Sequence, residues 1–140
     1  MGISDYDIAS ILATWVSQRL VRRLCPKCKK EREFTEKEKE IITKILNKYR
    51  EEINLDGIKT YEPVGCKHCD NTGYFSRIGV FEILNITDEI KEAIVRGEPS
   101  TEIRKIALKE GYRPLIVDGI KKVINGTTTL EELNKKLLFY

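Results

Sequence analysis

Histidine and cysteine, on which many nucleophilic enzymes depend, are scarce in this sequence. His68 is the only histidine, and all four cysteines lie in two short doublets, which leaves little for nucleophilic catalysis. Neither a G-x-x-x-x-G-K-[ST] phosphate loop nor a G-x-G-x-x-G motif occurs. The adjacent carboxylates Asp88 and Glu89 open a predicted helix, where the helix dipole accounts for them. Taken alone, the sequence describes a module without an active site.

Long apolar runs and a strong charge bias are also missing. No stretch of about 18 apolar residues could cross a membrane, and the acidic start, Met1–Asp7, is not typical of a secretory signal. The net charge is only +3, and Lys alternates with Glu instead of forming the basic stripe of a nucleic-acid binder. We therefore expect a cytoplasmic domain, or a tightly joined pair, that neither inserts into membranes nor binds nucleic acid.

The two cysteine doublets are the strongest chemical signal. Cys25 and Cys28 form one C-x-x-C turn, and Cys66 and Cys69 form the other. Such turns aim both sulfurs at one point, so together they predict a structural zinc site with four thiolate ligands and no open position for catalysis. Two disulfides, or a redox role for one doublet, are the alternatives. His68 could replace a cysteine, but with four thiols present we expect it to stay outside the ligand set.

The segment before the first doublet is predicted to be a helix followed by a strand. Ser4–Asp7 has the form of a capping box, and apolar residues follow at helical spacing, with Trp15 expected in the core. They are Ile8, Ile11, Leu12, Trp15 and Val16. This rhythm breaks at Gln18–Leu24, which we predict to be a strand.

The insert between the doublets is predicted to contain one helix and one short strand. Lys29–Glu33 is interpreted as a solvated connector, and Thr35 with Glu38 predicts a capping box that opens a helix reaching about Ile53. A short strand is predicted at Ile58–Tyr61. Because the insert has few apolar side chains, we expect the metal to supply much of its folding energy.

After the second doublet, the sequence predicts one long strand and four short helices. Tyr74–Leu84 is apolar on both faces, as expected of a central strand, and could pair with Gln18–Leu24. The helices are predicted to begin after Thr87, Ser100, Pro114 and Thr129, the last with Glu132 in a capping box, and to pack together. The predicted fold is α+β and mostly helical: a short β-hairpin interrupted by a zinc-closed insert and followed by a bundle of short helices.

Several segments around the cysteines have a distinctive sequence. Gln18–Cys28 has the form Q-R-L-V-R-x-L-C-P-x-C, and Gly65–Tyr74 contains the second doublet. Both resemble the corresponding segments of secretion-superfamily ATPases, the cytoplasmic motors of type II secretion and type IV pilus assembly. Arg77–Leu84 resembles the strand that follows. The tail also fits, through Gly111, Leu115, Asp118-Gly119, Gly126–Thr129 and Glu131-Glu132. Relatives usually carry a glycine beside Arg77, where this chain has Ser76, so we expect the backbone there to need less freedom.

The resemblance implies that this chain is the C-terminal part of such a motor. Residues 1–24 would end the RecA-like core, residues 25–73 would form the zinc subdomain, and residues 74–140 would form a strand and a helical subdomain. The phosphate loop and the acidic and histidine boxes of the family are missing here, so ATP and Mg²⁺ would bind only to the full-length motor and this fragment would be inactive.

The full motor would be a ring of six, peripheral to the inner membrane through platform proteins of the secretion or pilus machinery. Contacts to the core or a neighbouring subunit would fall to Gln18, Arg19 and Arg77, although exposed strand arginines in weak surface ion pairs are the alternative. The strand Tyr74–Leu84 would have lost sheet neighbours, so weak self-association is expected.

A free-standing zinc module that binds a protein or nucleic acid is the competing hypothesis. Residues 66–73 resemble the C-x-x-C-x-G-x-G repeat of chaperone zinc domains, but Asn71 replaces the first glycine and the repeat occurs once. Lysines around the doublets could touch phosphates, but balancing the thiolate charge is the simpler explanation. These are Lys27, Lys29, Lys30 and Lys67.

Overall fold

A computed structural model of the protein describes residues 14–137. Within this range the chain forms four strands and five α-helices. The strands are β1 (Thr14–Leu24), β2 (Lys30–Glu33), β3 (Lys59–Glu62) and β4 (Tyr74–Asn85). The helices are α1 (Glu36–Lys48), α2 (Asp88–Val95), α3 (Ser100–Lys109), α4 (Leu115–Ile124) and α5 (Leu130–Leu137). None of these helices is both long and apolar enough to cross a membrane. The predicted α+β class is confirmed.

Strands β1 and β4 pair with each other, and the region containing the cysteines lies between them in sequence. They run antiparallel: Thr14 begins β1 beside Asn85 at the end of β4, and Cys25 N, just after β1, donates to Gly73 O, just before β4. The prediction that Tyr74–Leu84 is a central strand is wrong for the described residues, since the sheet has two strands and only Val80 is buried in β4.

Trp15 and Val16 lie in β1, not on a helix, which corrects the sequence prediction. Both side chains are exposed, Trp15 by 54 % and Val16 by 57 %. Aromatic and β-branched residues favour strands, and pairing with β4 satisfies the backbone hydrogen bonds here. Apolar residues at helical spacing over only about two turns were therefore not enough to form a helix. The remainder of the predicted first helix, residues 4–12, lies outside the described residues. Gln18–Leu24 is a strand, as predicted.

The predicted solvated connector at Lys29–Glu33 contains a strand instead. Strand β2 pairs antiparallel with β3, with Lys30 opposite Glu62 and Glu33 opposite Lys59. Opposite charges face each other across the ladder, and Lys59 Nζ lies 2.6 Å from Glu33 Oε1. Such cross-strand pairs stabilise a strand that has almost no apolar residues. An alternating apolar pattern, the usual sign of a strand in a sequence, is therefore missing from β2.

Helix α1 begins at the predicted capping box but ends earlier than predicted. Thr35 Oγ1 accepts from Glu38 N at 3.2 Å, and Glu38 Oε2 accepts from Thr35 N at 2.9 Å. The helix stops at Lys48, not near Ile53, because Arg50 turns left-handed with φ +57°. Ile53 lies beyond the end of the helix but still packs against the core. Its partial burial accounts for the apolar residue that made the helix look longer in the sequence.

Residues Gln18–Phe81 and Leu115 to the end of the described chain form one compact unit. Its core joins the insert to the two last helices, since Ile42 and Leu46 of α1 belong to the same cluster as Ile120 of α4 and Leu133 of α5. The expectation that the insert lacks a substantial core is therefore wrong: its helix completes a core that the C-terminal helices share.

The second compact unit contains the start of β1, through Ser17, and residues Glu82–Pro114. In it α2 and α3 pack around Ile86, Ile90 and Ala107. The predicted bundle of four helices is thus wrong, because α4 and α5 have their core in the other unit. The cap of α3 is Pro99, not Ser100, since the extended backbone of Pro99 (φ −65°, ψ 155°) suits an N-cap. The functional division at residues 24 and 73 remains a prediction.

Candidate metal centre

The four cysteine sulfurs meet at one point between the end of β1 and the start of β4. The Sγ atoms of Cys25, Cys28, Cys66 and Cys69 all lie within 4.8 Å of one another. Cys25 and Cys69 are buried, and Cys28 and Cys66 are half-buried. The first doublet occupies the turn after β1, and the second lies on a short 3₁₀ turn at Lys67–Cys69. All four cysteines predicted from the sequence are therefore together.

The spacing of the sulfurs fits a tetrahedral metal ion. Three pairs are 3.7–3.8 Å apart: Cys25 with Cys66, Cys28 with Cys69, and Cys66 with Cys69. Zn–S bonds of about 2.3 Å require sulfurs about 3.8 Å apart at the corners of a tetrahedron. A disulfide would hold its sulfurs about 2.05 Å apart, and all four cysteines are free. The donor set and its dimensions suit zinc.

Backbone N–H groups already point at two of the sulfurs. Gly65 N lies 3.3 Å from Cys28 Sγ, and Cys69 Sγ accepts from Cys66 N at 3.2 Å and Gly73 N at 3.3 Å. Burial opposes ionisation of Cys69, but these N–H groups outweigh it and lower the pKa of its thiol. At Cys28 burial dominates and raises the pKa. The loop around Cys69 is thus arranged to favour a thiolate, the form that binds metal.

A glycine is required at position 73 for the backbone N–H to lie this close to Cys69 Sγ. Its φ is +82°, and a Cβ built there would lie 2.4 Å from Cβ of Pro63. A residue with a side chain would therefore be strained and would also clash. Its carbonyl accepts from Cys25 N at 2.9 Å while its N–H points at Cys69. One glycine consequently connects the two doublets.

His68 and Lys29 have contacts other than the sulfurs. The exposed His68 ring stacks on Phe75 with the ring centroids 4.1 Å apart, and the sulfur cluster includes no histidine among the described residues. Lys29 Nζ donates to Gly126 O at 3.0 Å and lies 4.4 Å from the centre of the Tyr61 ring. The Lys29 side chain therefore has a structural partner inside the protein.

The predicted contact residues Gln18, Arg19 and Arg77 are exposed on β1 and β4. Beside Arg77, Ser76 adopts φ +63°. This is the left-handed region that favours glycine, so the expectation that the backbone here needs less freedom is wrong. A left-handed residue within a strand is typical of a β-bulge.

Sequence reasoning missed a buried ion pair close to the first doublet. Glu132 is 1 % exposed, and its carboxylate accepts from the backbone N–H of Arg22 at 3.1 Å and from Nε and Nη2 of the same residue at 3.2 and 2.9 Å. Burial would raise the pKa of Glu132, but these hydrogen bonds and the positive charge of Arg22 lower it overall. Glu132 was predicted to complete a capping box, and only its own N–H, donated to Thr129 Oγ1, follows that pattern.

The chain is similar to proteins of two related bacterial machines. A family model described as "Type II/IV secretion system protein" matches residues 1–135. A type IV pilus assembly ATPase PilB of Thermus thermophilus is 38 % identical over 133 residues, which cover 95 % of this chain and 14 % of that protein. PilB of Pseudomonas aeruginosa is 36 % identical over 135 residues, or 96 % of this chain and 23 % of that protein.

A relative from the secretion branch matches equally widely. The type II secretion system protein E of Aeromonas hydrophila is 34 % identical over 133 residues, which cover 95 % of this chain and 25 % of that protein. The chain thus spans a quarter or less of the length of these three relatives. The family match includes both cysteine doublets, all of α4 and α5 as far as residue 135. The chain belongs to the type II/IV secretion system protein family.

Proposed function

We propose that this chain is the zinc-binding and helical C-terminal part of a hexameric cytoplasmic ATPase that powers type II secretion or type IV pilus assembly. The family match over residues 1–135 carries this proposal. The four convergent sulfurs support the metal. Residues 1–24 would complete the ATPase core, residues 25–73 the zinc subdomain, and residues 74–140 a strand and helical region.

In this proposal Cys25, Cys28, Cys66 and Cys69 hold one structural zinc ion. Zinc would stabilise the fold and would not take part in a reaction, because four thiolates leave no open coordination position. The N–H groups of Gly65, Cys66 and Gly73 would stabilise the negative charge on the sulfurs. The metal would then close the base of the insert against the end of β1.

The exposed faces of β1 and β4 are proposed to contact the ATPase core or a neighbouring subunit. Gln18, Arg19 and Arg77 would supply the polar contacts. Large apolar side chains exposed in the same compact unit support a covered surface in the assembled protein: Leu20, Phe75 and Phe81. The ring would reach the inner membrane through platform proteins of its machinery.

ATP and Mg²⁺ would bind elsewhere in the full-length motor. ATP hydrolysis needs backbone amides and a lysine around the phosphates, a held Mg²⁺ and a positioned water, and this sequence has no phosphate loop. The fragment would therefore act as a rigid support. The competing nucleic-acid function is less well supported, because the Lys29 side chain is already bound to Gly126 and Tyr61.

The proposal is tested on the full-length gene product and on the chain itself. An in-frame phosphate loop upstream of Met1 is expected, and its absence would contradict the motor assignment. In the full-length protein, Arg19→Ala and Arg77→Ala should reduce hexamer formation measured by light scattering, whereas exposed Lys135→Ala should not. The chain alone should contain about one zinc ion and hydrolyse no ATP. Salt-dependent DNA binding would favour the competing function.

A further inference from the structure

Residues 126–132, which comprise the turn after α4 and the first residues of α5, bind the end of β1 just before the first cysteine doublet. Leu24 N donates to Thr127 O at 2.8 Å. Thr128 Oγ1 donates to Arg22 O at 2.8 Å, and Glu132 Oε1 accepts from Arg22 N at 3.1 Å. Three main-chain groups within three residues of Cys25 are therefore held by residues more than 100 positions later in the chain.

The same segment also contacts the other end of the first doublet. Lys29, directly after Cys28, donates from Nζ to Gly126 O at 3.0 Å. The backbone N–H of Lys29 donates to Cys25 O at 3.0 Å and closes the cysteine turn. Residues 126–132 thus hold the chain on both sides of Cys25 and Cys28. We name this segment the C-terminal clamp.

The polar groups of the clamp are buried and matched to their partners. Thr128 is fully buried, and Glu132 is 1 % exposed. The guanidinium of Arg22 lies 4.2 Å from the centre of the Tyr74 ring, and the hydroxyl of Tyr74 is 3.0 Å from Thr129 Oγ1. A carboxylate is costly to bury without charged hydrogen bonds. This cluster consequently fixes Arg22, and with it the end of β1, in one position.

The second doublet depends on its own loop instead. Asn71 N and Cys69 N donate to Cys66 O at 2.8 and 3.3 Å, and Thr72 Oγ1 donates to Cys69 O at 2.7 Å. Every one of these bonds lies within residues 66–72. The first doublet is therefore held mainly by distant residues and the second mainly by its own loop, with the bond from Cys25 N to Gly73 O joining the two.

We propose that the C-terminal clamp is a positioning element of the metal centre, in which Glu132 and Thr128 raise the affinity for zinc without touching it. The inference rests on the proposed zinc site. By holding Cys25 and Cys28 in place before the metal arrives, the clamp reduces the ordering that binding must impose. Linkage requires the reverse effect as well, so zinc binding stabilises α5.

The test measures zinc affinity by competition with a chromophoric chelator in the full chain. Glu132→Gln removes the charge that holds Arg22, and Thr128→Val removes the hydroxyl while keeping the shape. We expect each to weaken zinc binding about tenfold, as outer-shell partners of metal ligands do. Lys135→Gln, at an exposed position of α5 outside the clamp, should stay within about twofold of wild type, and Thr128→Ser, which keeps the hydroxyl, should restore the affinity.

General destabilisation is separated by Ile42→Val, a core change on α1 that leaves every polar group of residues 126–132 in place. This variant should unfold at lower urea concentration and yet keep wild-type zinc affinity, because affinity depends on stability only when much of the protein is unfolded. The absorption of bound Co²⁺ gives a second readout of how the sulfurs are arranged. Amide exchange in α5 should slow on zinc addition in wild type and less in Glu132→Gln.

The possible results of these measurements test the zinc site and the clamp separately. A wild-type chain that binds no zinc would overturn the proposed metal site itself. Zinc binding by wild type with unchanged affinity in both Glu132→Gln and Thr128→Val would overturn only the clamp. If Glu132→Gln does not fold, Thr128→Val with its Thr128→Ser rescue still decides the question. Equal loss of affinity in Ile42→Val would also contradict the positioning role.

Discussion

Gly126 faces the ring of Tyr61 so closely that a Cβ on this glycine would lie 2.5 Å from Cδ2 of the ring. The same ring lies beneath Lys29, whose ammonium group donates to the carbonyl of Gly126. Strand β3, the cysteine turn and the end of α4 therefore meet at one glycine. This contact explains how the insert and the C-terminal helices come to share a core.

Gly126→Ala should therefore destabilise the protein more than backbone strain alone. Gly57 is a matched control, because its φ is also +76° but nothing lies within 4 Å of its added Cβ. Gly57→Ala should cost about 1 kcal/mol from the left-handed backbone. Gly126→Ala should cost about 2–4 kcal/mol, because overpacking adds to that strain. Urea unfolding measures both, and equal losses would contradict the close contact with Tyr61.

A second prediction concerns the ion pair at the start of α1. Arg32 donates to both carboxylate oxygens of Glu38 at 2.7 and 2.9 Å. Hydrogen bonds from Arg32 are the main reason that the pKa of Glu38 is lowered. Glu38→Gln should cost about 1 kcal/mol at neutral pH, a value reduced for partial exposure. Glu36→Gln, at a highly exposed side chain, should change the free energy of unfolding by less than about 0.5 kcal/mol.

The effect of Glu38→Gln should depend on pH. A carboxylate with a lowered pKa in the folded state stabilises fully above the ordinary glutamate pKa of about 4.3, and this contribution disappears as the pH falls through the lowered value. The difference between wild type and Glu38→Gln should therefore shrink in acid. Urea unfolding of both proteins at the same metal content measures it, and a difference that grew on acidification would refute the assignment.

Local chemistry made part of this structure predictable from the sequence. The C-x-x-C spacing places two sulfurs in one turn, and the capping box of Thr35 and Glu38 involves only four consecutive residues. Strand β2 was not predictable, because Lys30–Glu33 has no apolar residue and forms a strand only by pairing with β3, which is distant in sequence. The bonds between Arg22 and Glu132 join residues 110 positions apart. Nothing in the sequence near either residue indicates this pair. A glutamate three residues after a threonine is instead typical of a capping box.

Loss of one cysteine gives a third prediction. From the sequence alone, Cys66→Ser is expected to unfold the insert and to leave the helices predicted within Thr87–Tyr140 largely folded. Since α1 shares its core with α4 and α5, we now expect amide exchange to accelerate in all three helices. Helices α2 and α3, with a separate core around Ile90, should keep their protection.

His68→Ser is the matched control for Cys66→Ser. It changes a neighbouring exposed residue that is not part of the sulfur cluster, so protection in α1 should stay at the wild-type level. Mass spectrometry of exchanged, zinc-loaded protein would measure each helix separately. Slow exchange retained throughout α1 of Cys66→Ser would show that the metal contributes little to this core.

The last prediction uses the strained backbone of β4. Ser76 has φ +63°, a conformation in which a side chain costs roughly 1 kcal/mol and glycine costs nothing sterically. Ser76→Gly should therefore stabilise the protein by about 0.5–1 kcal/mol, even though glycine normally weakens a strand. Ser17→Gly in β1, where the backbone has no positive φ, should instead destabilise it by a similar amount. Urea unfolding midpoints would decide the sign. If both substitutions destabilised the protein equally, Ser76 would not be left-handed in solution.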